Sequence, residues 1–295
     1  MRKMPNFFIV GAAKAGTSTL WRCLKDHPQV YMPDDELCKE PGFFSNLYGI
    51  KEIGCYQNLF KHSNEQHKII GEATTAYLTD PSSAGNIKQI IPKAKILIIL
   101  RNPADRAYSL YNWMVQEGYE YAPTFSYALS IEGKRIKKST SFWRRQYYWD
   151  YLYFRSGLYY NQAKRYLDLF SDVLILKFDE LVHNPQNTYQ KIYDFLEIGF
   201  YPAQFKKENI SHSVYHPYLQ FGLRKLNVFL NLYRQFVGDI KTKQERDKLM
   251  LLGIKKNKPP ELARDVRTGL LKKYTGDIIK LSDLTNMDFT YWLSE

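Results

Sequence analysis

Cysteine is scarce in this chain: among 295 residues there are three, Cys23, Cys38 and Cys55, all within the first fifth. An odd, clustered set does not make a disulfide framework and suits a reducing compartment, and its wide spacing carries no zinc signature. The histidines, His27, His62, His67, His183, His212 and His216, add no metal-ligand spacing. Long apolar runs are missing as well, none reaching the roughly 18 residues of a membrane-spanning helix. Arg2-Lys3 ahead of Phe7 to Ala13 imitates a signal peptide, but the apolar stretch is short and reads better as a first core strand. Acidic residues are in deficit, 30 Asp and Glu against 42 Lys and Arg, for a net charge of +12. That balance suits a multiply anionic ligand and is equally compatible with nucleic acid or an anionic membrane. No repeat or low-complexity tract divides the chain, and 44% hydrophobic content supports one large α/β domain over residues 1–295.

What is present is concentrated at the start. Phe7 to Val10 is an apolar strand, Gly11 to Gly16 a loop of small residues broken by Lys14, and Thr17-Ser18-Thr19-Leu20 a helix start. Small residues let backbone N–H groups approach a phosphate, and a helix N-terminus adds partial positive charge. Gly11, Gly16 and Ser18 fall where a nucleoside-triphosphate P-loop would place them, yet Thr17 stands at that motif's lysine position, and the lysine sits inside the loop as Lys14. The loop is therefore built for a nucleotide phosphate but not in the manner of an ATPase.

Further strands are predicted at Ile69 to Glu72, Ile96 to Leu100 and Val173 to Phe178, with helical patterns between them, which makes a doubly wound parallel sheet. In such sheets ligands bind beyond the carboxyl ends of the strands, where Lys14, Glu72 and Arg101 are all placed. Asn102 is positioned to cap a helix begun by Pro103.

Four segments in order resemble the sulfotransferases that use 3′-phosphoadenosine 5′-phosphosulfate (PAPS). They are Lys14 to Thr19, Lys39-Glu40-Pro41-Gly42-Phe43-Phe44, Gly71-Glu72-Ala73-Thr74-Thr75-Ala76-Tyr77, and Arg101 to Ser109. The second and third are similar to the branch containing heparan sulfate sulfotransferases and soluble bacterial enzymes; Ser156-Gly157-Leu158-Tyr159 and Val173 to Leu196 also follow its pattern. The resemblance implies the P-loop-like sulfotransferase fold with helical and aromatic insertions. It further implies that Lys14, Ala15, Gly16, Thr17, Ser18 and Thr19 hold the 5′-phosphosulfate while Arg101 and Ser109 hold the 3′-phosphate.

Lys14 is placed to stabilise charge growing on the leaving phosphate oxygen. Because the transferred group carries one negative charge and its leaving group is held by Lys14 and N–H groups, no metal is called for. Glu72 matches the branch's glutamate base; the competing reading is a structural carboxylate that caps a helix or pairs with Lys39. Lys39 is placed to touch the substrate or the transferring sulfonate, or else to pair with Glu40 or Glu72. His27 follows the first helix as a helix-end residue. A histidine base, as in the cytosolic steroid and phenol enzymes, stays open, but their RKGxxGxW motif is absent.

The stretch from Tyr111 to Tyr160 is dense in aromatic and basic residues, notably Phe142 to Tyr151, and Val214 to Pro260 carries no family motif. These are candidate lids and acceptor walls. Interleaved aromatics and cations also suit single-stranded nucleic acid, but no RNP, KH or helix-turn-helix signature accompanies them. A P-loop kinase or a non-catalytic nucleotide-binding homologue would also carry a phosphate-seating loop. Lys255-Lys256-Asn257-Lys258 reads as a solvated charge run or a cofactor cover. The sequence points to a cytoplasmic enzyme acting on a specialised small-molecule metabolite, with a glycan or glycolipid acceptor as runner-up, no nucleic acid partner and no membrane span.

Overall fold

A computed structural model describes residues 3–33, 39–137, 147–202, 212–236, 249–255 and 257–294. Five strands form one parallel sheet: β1 (Phe7–Gly11), β2 (Val30–Tyr31), β3 (Ile69–Glu72), β4 (Lys95–Leu100) and β5 (Val173–Lys177), in the order β2-β3-β1-β4-β5. All of β1 and the Ile96 to Leu100 run of β4 are buried, as continuous apolar strands covered by helices on both faces must be. The four predicted strands are present within one residue at each end. The two-residue β2 is additional, too short to leave a periodic signal in the sequence.

Chain order reverses at β1, whose neighbours are β3 on one side and β4 on the other. The crevice beyond its carboxyl end is thus the topological switch point, the usual ligand position in an open parallel sheet. Register sets the depth of what emerges there. Glu72, the last residue of β3, lies beside Phe8, whereas β1 continues to Gly11, which lies beside Ile98. At about 3.3 Å per residue β3 stops roughly 10 Å short of the end of β1.

The chain groups into two compact units. The first, Met1–Arg106 with Leu158–Glu208 and Lys272–Glu295, contains the sheet. Its C-terminal segment is pinned by Tyr291 and Trp292, both donating to Asp179 at 2.6 and 3.3 Å. The second, Ala107–Gly157 with Asn209–Leu271, is built from helices that include Phe125–Ser130, Glu132–Lys137 and Pro217–Phe236. Its centre holds a buried Arg135–Glu120 ion pair at 2.7 Å, with Tyr153 donating to the same carboxylate at 2.7 Å. Of the aromatic stretch singled out in the sequence, Phe142 to Gln146 lie outside the described residues. Tyr147 and Tyr151 are buried, and the Arg135 guanidinium lies 5.6 Å from the Tyr151 ring, so these two rings are core, while Tyr148 and Trp149 between them stay partly exposed.

Candidate active site

The loop after β1 is shaped by two left-handed residues, Lys14 (φ 67°) and Gly16 (φ 88°). Gly16 is required twice over: a side chain there would be strained by its φ, and a Cβ would lie 3.0 Å from Leu181 and 3.2 Å from Phe178. Immediately after it the helix Thr17–Lys25 (α1) begins with no side-chain cap and no acidic residue in its first turn. The first N–H groups of any helix lack intrahelical acceptors, so an uncapped, acid-free start aimed beyond the strand is an anion seat. Ala15 is buried and its N–H donates within the loop, to the Ala12 carbonyl at 3.2 Å. Thr17 is buried, while Ser18 and Thr19 remain partly exposed.

Cations converge on this loop from two other segments. Lys39 Nζ donates to Ser18 Oγ at 2.8 Å and lies 3.4 Å from Glu40 Oε1, so of its two possible acidic partners it takes its sequence neighbour. Glu40 in turn accepts from the Thr75 hydroxyl at 3.1 Å. Arg101, leaving the end of β4, donates from Nη1 to the Lys14 carbonyl at 3.2 Å and lies over the Phe178 ring at 4.8 Å. Burial pushes the Arg101 guanidinium below its ordinary pKa, which leaves so strong a base fully charged at neutral pH. Asn102 caps the next helix, accepting from Ala104 N at 3.1 Å. Ser109 is partly exposed within that helix, Pro103–Gln116. His27 is buried behind α1, its ring bonded to the Gly199 carbonyl at 2.8 Å, a helix-end role.

Glu72 has a different environment. It is wholly buried, and its carboxylate accepts from three hydroxyls: Tyr56 at 2.5 Å, Thr74 at 2.6 Å and Tyr77 at 3.1 Å. Burial drives its pKa up to about 7, against the three hydroxyl bonds, which pull it down, and with a smaller push from the nearby Glu40 charge. Two constraints therefore act on one carboxylate: desolvation favours the neutral acid, the cage favours the anion, and desolvation wins. Tyr77 belongs to the motif that drew attention to Glu72. Tyr56, sixteen residues upstream in another segment, had no signal in the sequence, nor had Phe178 beneath Arg101.

Unit 2 contains a cavity of about 360 Å³ walled by Tyr108, Tyr111, Phe125, Pro123, Pro217 and Pro260. None of the described residues lining it is Lys or Arg, and His212 Nδ1, among the polar lining groups, is buried with no hydrogen-bond partner among the described residues.

Comparison with known proteins assigns this architecture. A family model described as the sulfotransferase domain matches residues 4–248. A sulfotransferase crystal structure from Alicyclobacillus acidocaldarius superposes with a TM-score of 0.73 at 28% identity, covering 98% of this chain and 99% of that one. The mouse sulfotransferase SULT7A1 complexed with PAP shares the fold at a TM-score of 0.51 and 15% identity, covering 96% of this chain and 89% of that one. Among curated proteins, a Caenorhabditis briggsae bifunctional heparan sulfate N-deacetylase/N-sulfotransferase is 26% identical over 231 residues, 77% of this chain and 26% of that protein. The Dictyostelium discoideum membrane-associated sulfotransferase kil1 is 34% identical over 115 residues, 38% of this chain and 24% of that protein. The chain thus spans about a quarter of the length of these curated relatives. With the parallel sheet, the anion-seating loop and a family match over most of its length, the chain belongs to the sulfotransferase family.

Proposed function

We propose that this sulfotransferase uses PAPS and transfers its sulfuryl group in line to a hydroxyl or amine of a compact cyclic metabolite, releasing adenosine 3′,5′-bisphosphate. The observation that carries the proposal is the uncapped, acid-free start of α1 behind Gly16, with Lys39 on Ser18 and Arg101 on the Lys14 carbonyl. That donor set fits a phosphosulfate: backbone N–H groups, hydroxyls and cations are present, and no carboxylate faces α1 from its own first turn. PAPS, when bound, supplies a sulfuryl group already activated by its anhydride link to phosphate.

The chain's own residues then divide the work. Lys14, with Gly16, Thr17, Ser18 and Thr19, holds the 5′-phosphate and neutralises charge as it grows on the leaving oxygen. Lys39 orients the sulfonate through its hold on Ser18. Arg101 and Ser109 take the 3′-phosphate. Glu72 receives the acceptor proton; with a pKa of about 7 it is poised as a general base at neutral pH. Since its oxygens are closed off by hydroxyls, the proton passes through one of those hydroxyls or the cage opens first. A second reading of the base is Glu40, whose side chain is 37% exposed where Glu72 is wholly buried.

The aromatic and basic stretch from Tyr111 to Tyr160 supports an acceptor with a ring that can stack. A glycan or glycolipid remains the runner-up, favoured by the heparan sulfate enzymes among the relatives. A cytoplasmic location belongs to the same proposal; among the described residues no helix is long and apolar enough to cross a membrane.

Calorimetry tests the cofactor half. Adenosine 3′,5′-bisphosphate should bind much more tightly than adenosine 5′-phosphate, and Arg101→Ala should cost the former roughly 2 to 5 kcal/mol while leaving the latter nearly unchanged. Equal affinities for the two nucleotides would refute the assignment of the 3′-phosphate.

A further inference from the structure

Unit 2 carries a helix whose amphipathicity is inverted. In Pro217–Phe236 the polar residues Gln220 and Asn227 are 0% and 3% exposed, whereas Leu219, Leu226 and Phe229 are 49%, 47% and 67% exposed. At 100° per residue, Lys225, Tyr218, Phe229, Gly222, Leu226 and Leu219 fall within one arc of about 120°. From Tyr218 to Phe229 the outer face of this helix is therefore apolar, with Lys225 as the one cation among those residues of the arc.

Inward polarity has a structural cause. Gln220 donates to the Gln116 carbonyl at 2.7 Å and to the Met250 carbonyl at 3.1 Å, which ties the helix to two other segments of the unit. Outward apolarity has none among the described residues of the unit, and the segment that Gln220 anchors exposes further apolar side chains. Leu251 and Leu252, next to Met250, are 64% and 68% exposed, and Tyr215, held by its N–H to the Gly253 carbonyl at 2.9 Å, is 61% exposed. Exposed apolar side chains in this number, on one unit, mark a candidate contact face.

Charge selects the occupant. The helix contains no Asp or Glu, and residues 215–258 hold ten Lys and Arg against Asp239, Glu245 and Asp247. Lys225 lies 4.6 Å from the Phe221 ring and Lys255 lies 5.2 Å from the Tyr215 ring, so cations rim the apolar face. A second copy of this chain would bring the same cations against them. A surface apolar beneath and anionic above meets both features, because an amphipathic helix lies in a bilayer interface with its apolar face sunk below the headgroups and its Lys and Arg among them. We infer that unit 2 docks on an anionic lipid surface through the outer face of Pro217–Phe236 together with Tyr215, Leu251 and Leu252. This inference is independent of the reading of the cofactor loop.

Cosedimentation of the full chain with phosphatidylcholine vesicles, with and without phosphatidylserine, tests it. Binding should require phosphatidylserine and weaken with salt. The double variant Leu226→Ser/Phe229→Ser should lose roughly tenfold or more in partitioning, as two interfacial apolar side chains are removed. Lys225→Ala should lose roughly fivefold, the effect of one cation near an anionic surface. Both variants alter exposed positions, so circular dichroism and affinity for adenosine 3′,5′-bisphosphate should match the parent. Three results would overturn the inference: no binding to phosphatidylserine vesicles, binding that the double variant leaves intact, or a parental self-association in ultracentrifugation that the double variant abolishes in the absence of vesicle binding.

Discussion

Replacing Glu72 by glutamine removes one titration from the sheet while keeping the shape of the side chain. In the folded protein this carboxyl titrates at about 7 instead of 4.5, because burial outweighs the hydroxyl bonds from Tyr56, Thr74 and Tyr77. Between those two values the folded chain holds a proton that the unfolded chain has released. The contribution of Glu72 to stability is therefore fully present below pH 4.5, is lost as pH rises toward 7, and changes no further above it. At 1.36 kcal/mol per unit the loss is about 3 kcal/mol. Urea unfolding of the parent and Glu72→Gln across this range isolates the effect, since other titrating groups cancel in the difference. The parent's stability relative to the variant should fall by about that amount from acid to neutral pH. Tyr56→Phe, which deletes the 2.5 Å bond, should move the upper edge of the window to higher pH. A difference that is flat with pH, or that rises with it, would show that the cage and not burial sets the ionisation of Glu72.

The same site yields four further tests. Lys14→Ala should slow the chemical step in single turnover far more than it weakens bisphosphate binding, because the charge Lys14 meets grows in the transition state. Gly16→Ala should cost roughly 1 to 2 kcal/mol from its left-handed backbone, and more if Leu181 cannot withdraw; thermal unfolding and calorimetry would register it as joint loss of stability and nucleotide affinity. Turnover should survive EDTA, since Lys14 and the loop N–H groups supply the electrostatic stabilisation that a metal would otherwise provide; loss of activity with rescue by magnesium would contradict this. For the base, Glu72→Gln and Glu40→Gln should be compared directly, and the true base should show a fall on the order of 10² to 10⁴ in turnover with cofactor affinity retained.

The sheet was legible because its strands are buried on both faces and so leave uninterrupted apolar runs, as in β4, where Ile96 to Leu100 are all 0% exposed. The loop was legible because phosphate recognition by backbone constrains residue type, down to a glycine where only a left-handed turn fits. What escaped was set by long-range packing. A strand-end position suggested that Glu72 emerges with Lys14 and Arg101, but strand ends are not level: β3 stops beside Phe8, and Tyr56 closes over the carboxylate from a segment without a motif. Likewise the helical pattern of Pro217 to Phe236 is visible in sequence, yet its inward side is decided by Gln220 and its two carbonyl partners, which no periodicity reports.

Transfer itself is the most direct test of the central claim. Incubating the protein with PAPS and a library of phenolic, alicyclic and saccharide acceptors, and following nucleotide and acceptor together by mass spectrometry, should show adenosine 3′,5′-bisphosphate released in equal amount with a sulfated acceptor, and both formed far more slowly by Lys14→Ala. Bisphosphate release without any sulfated acceptor, or equal product from the Lys14 variant, would contradict the account.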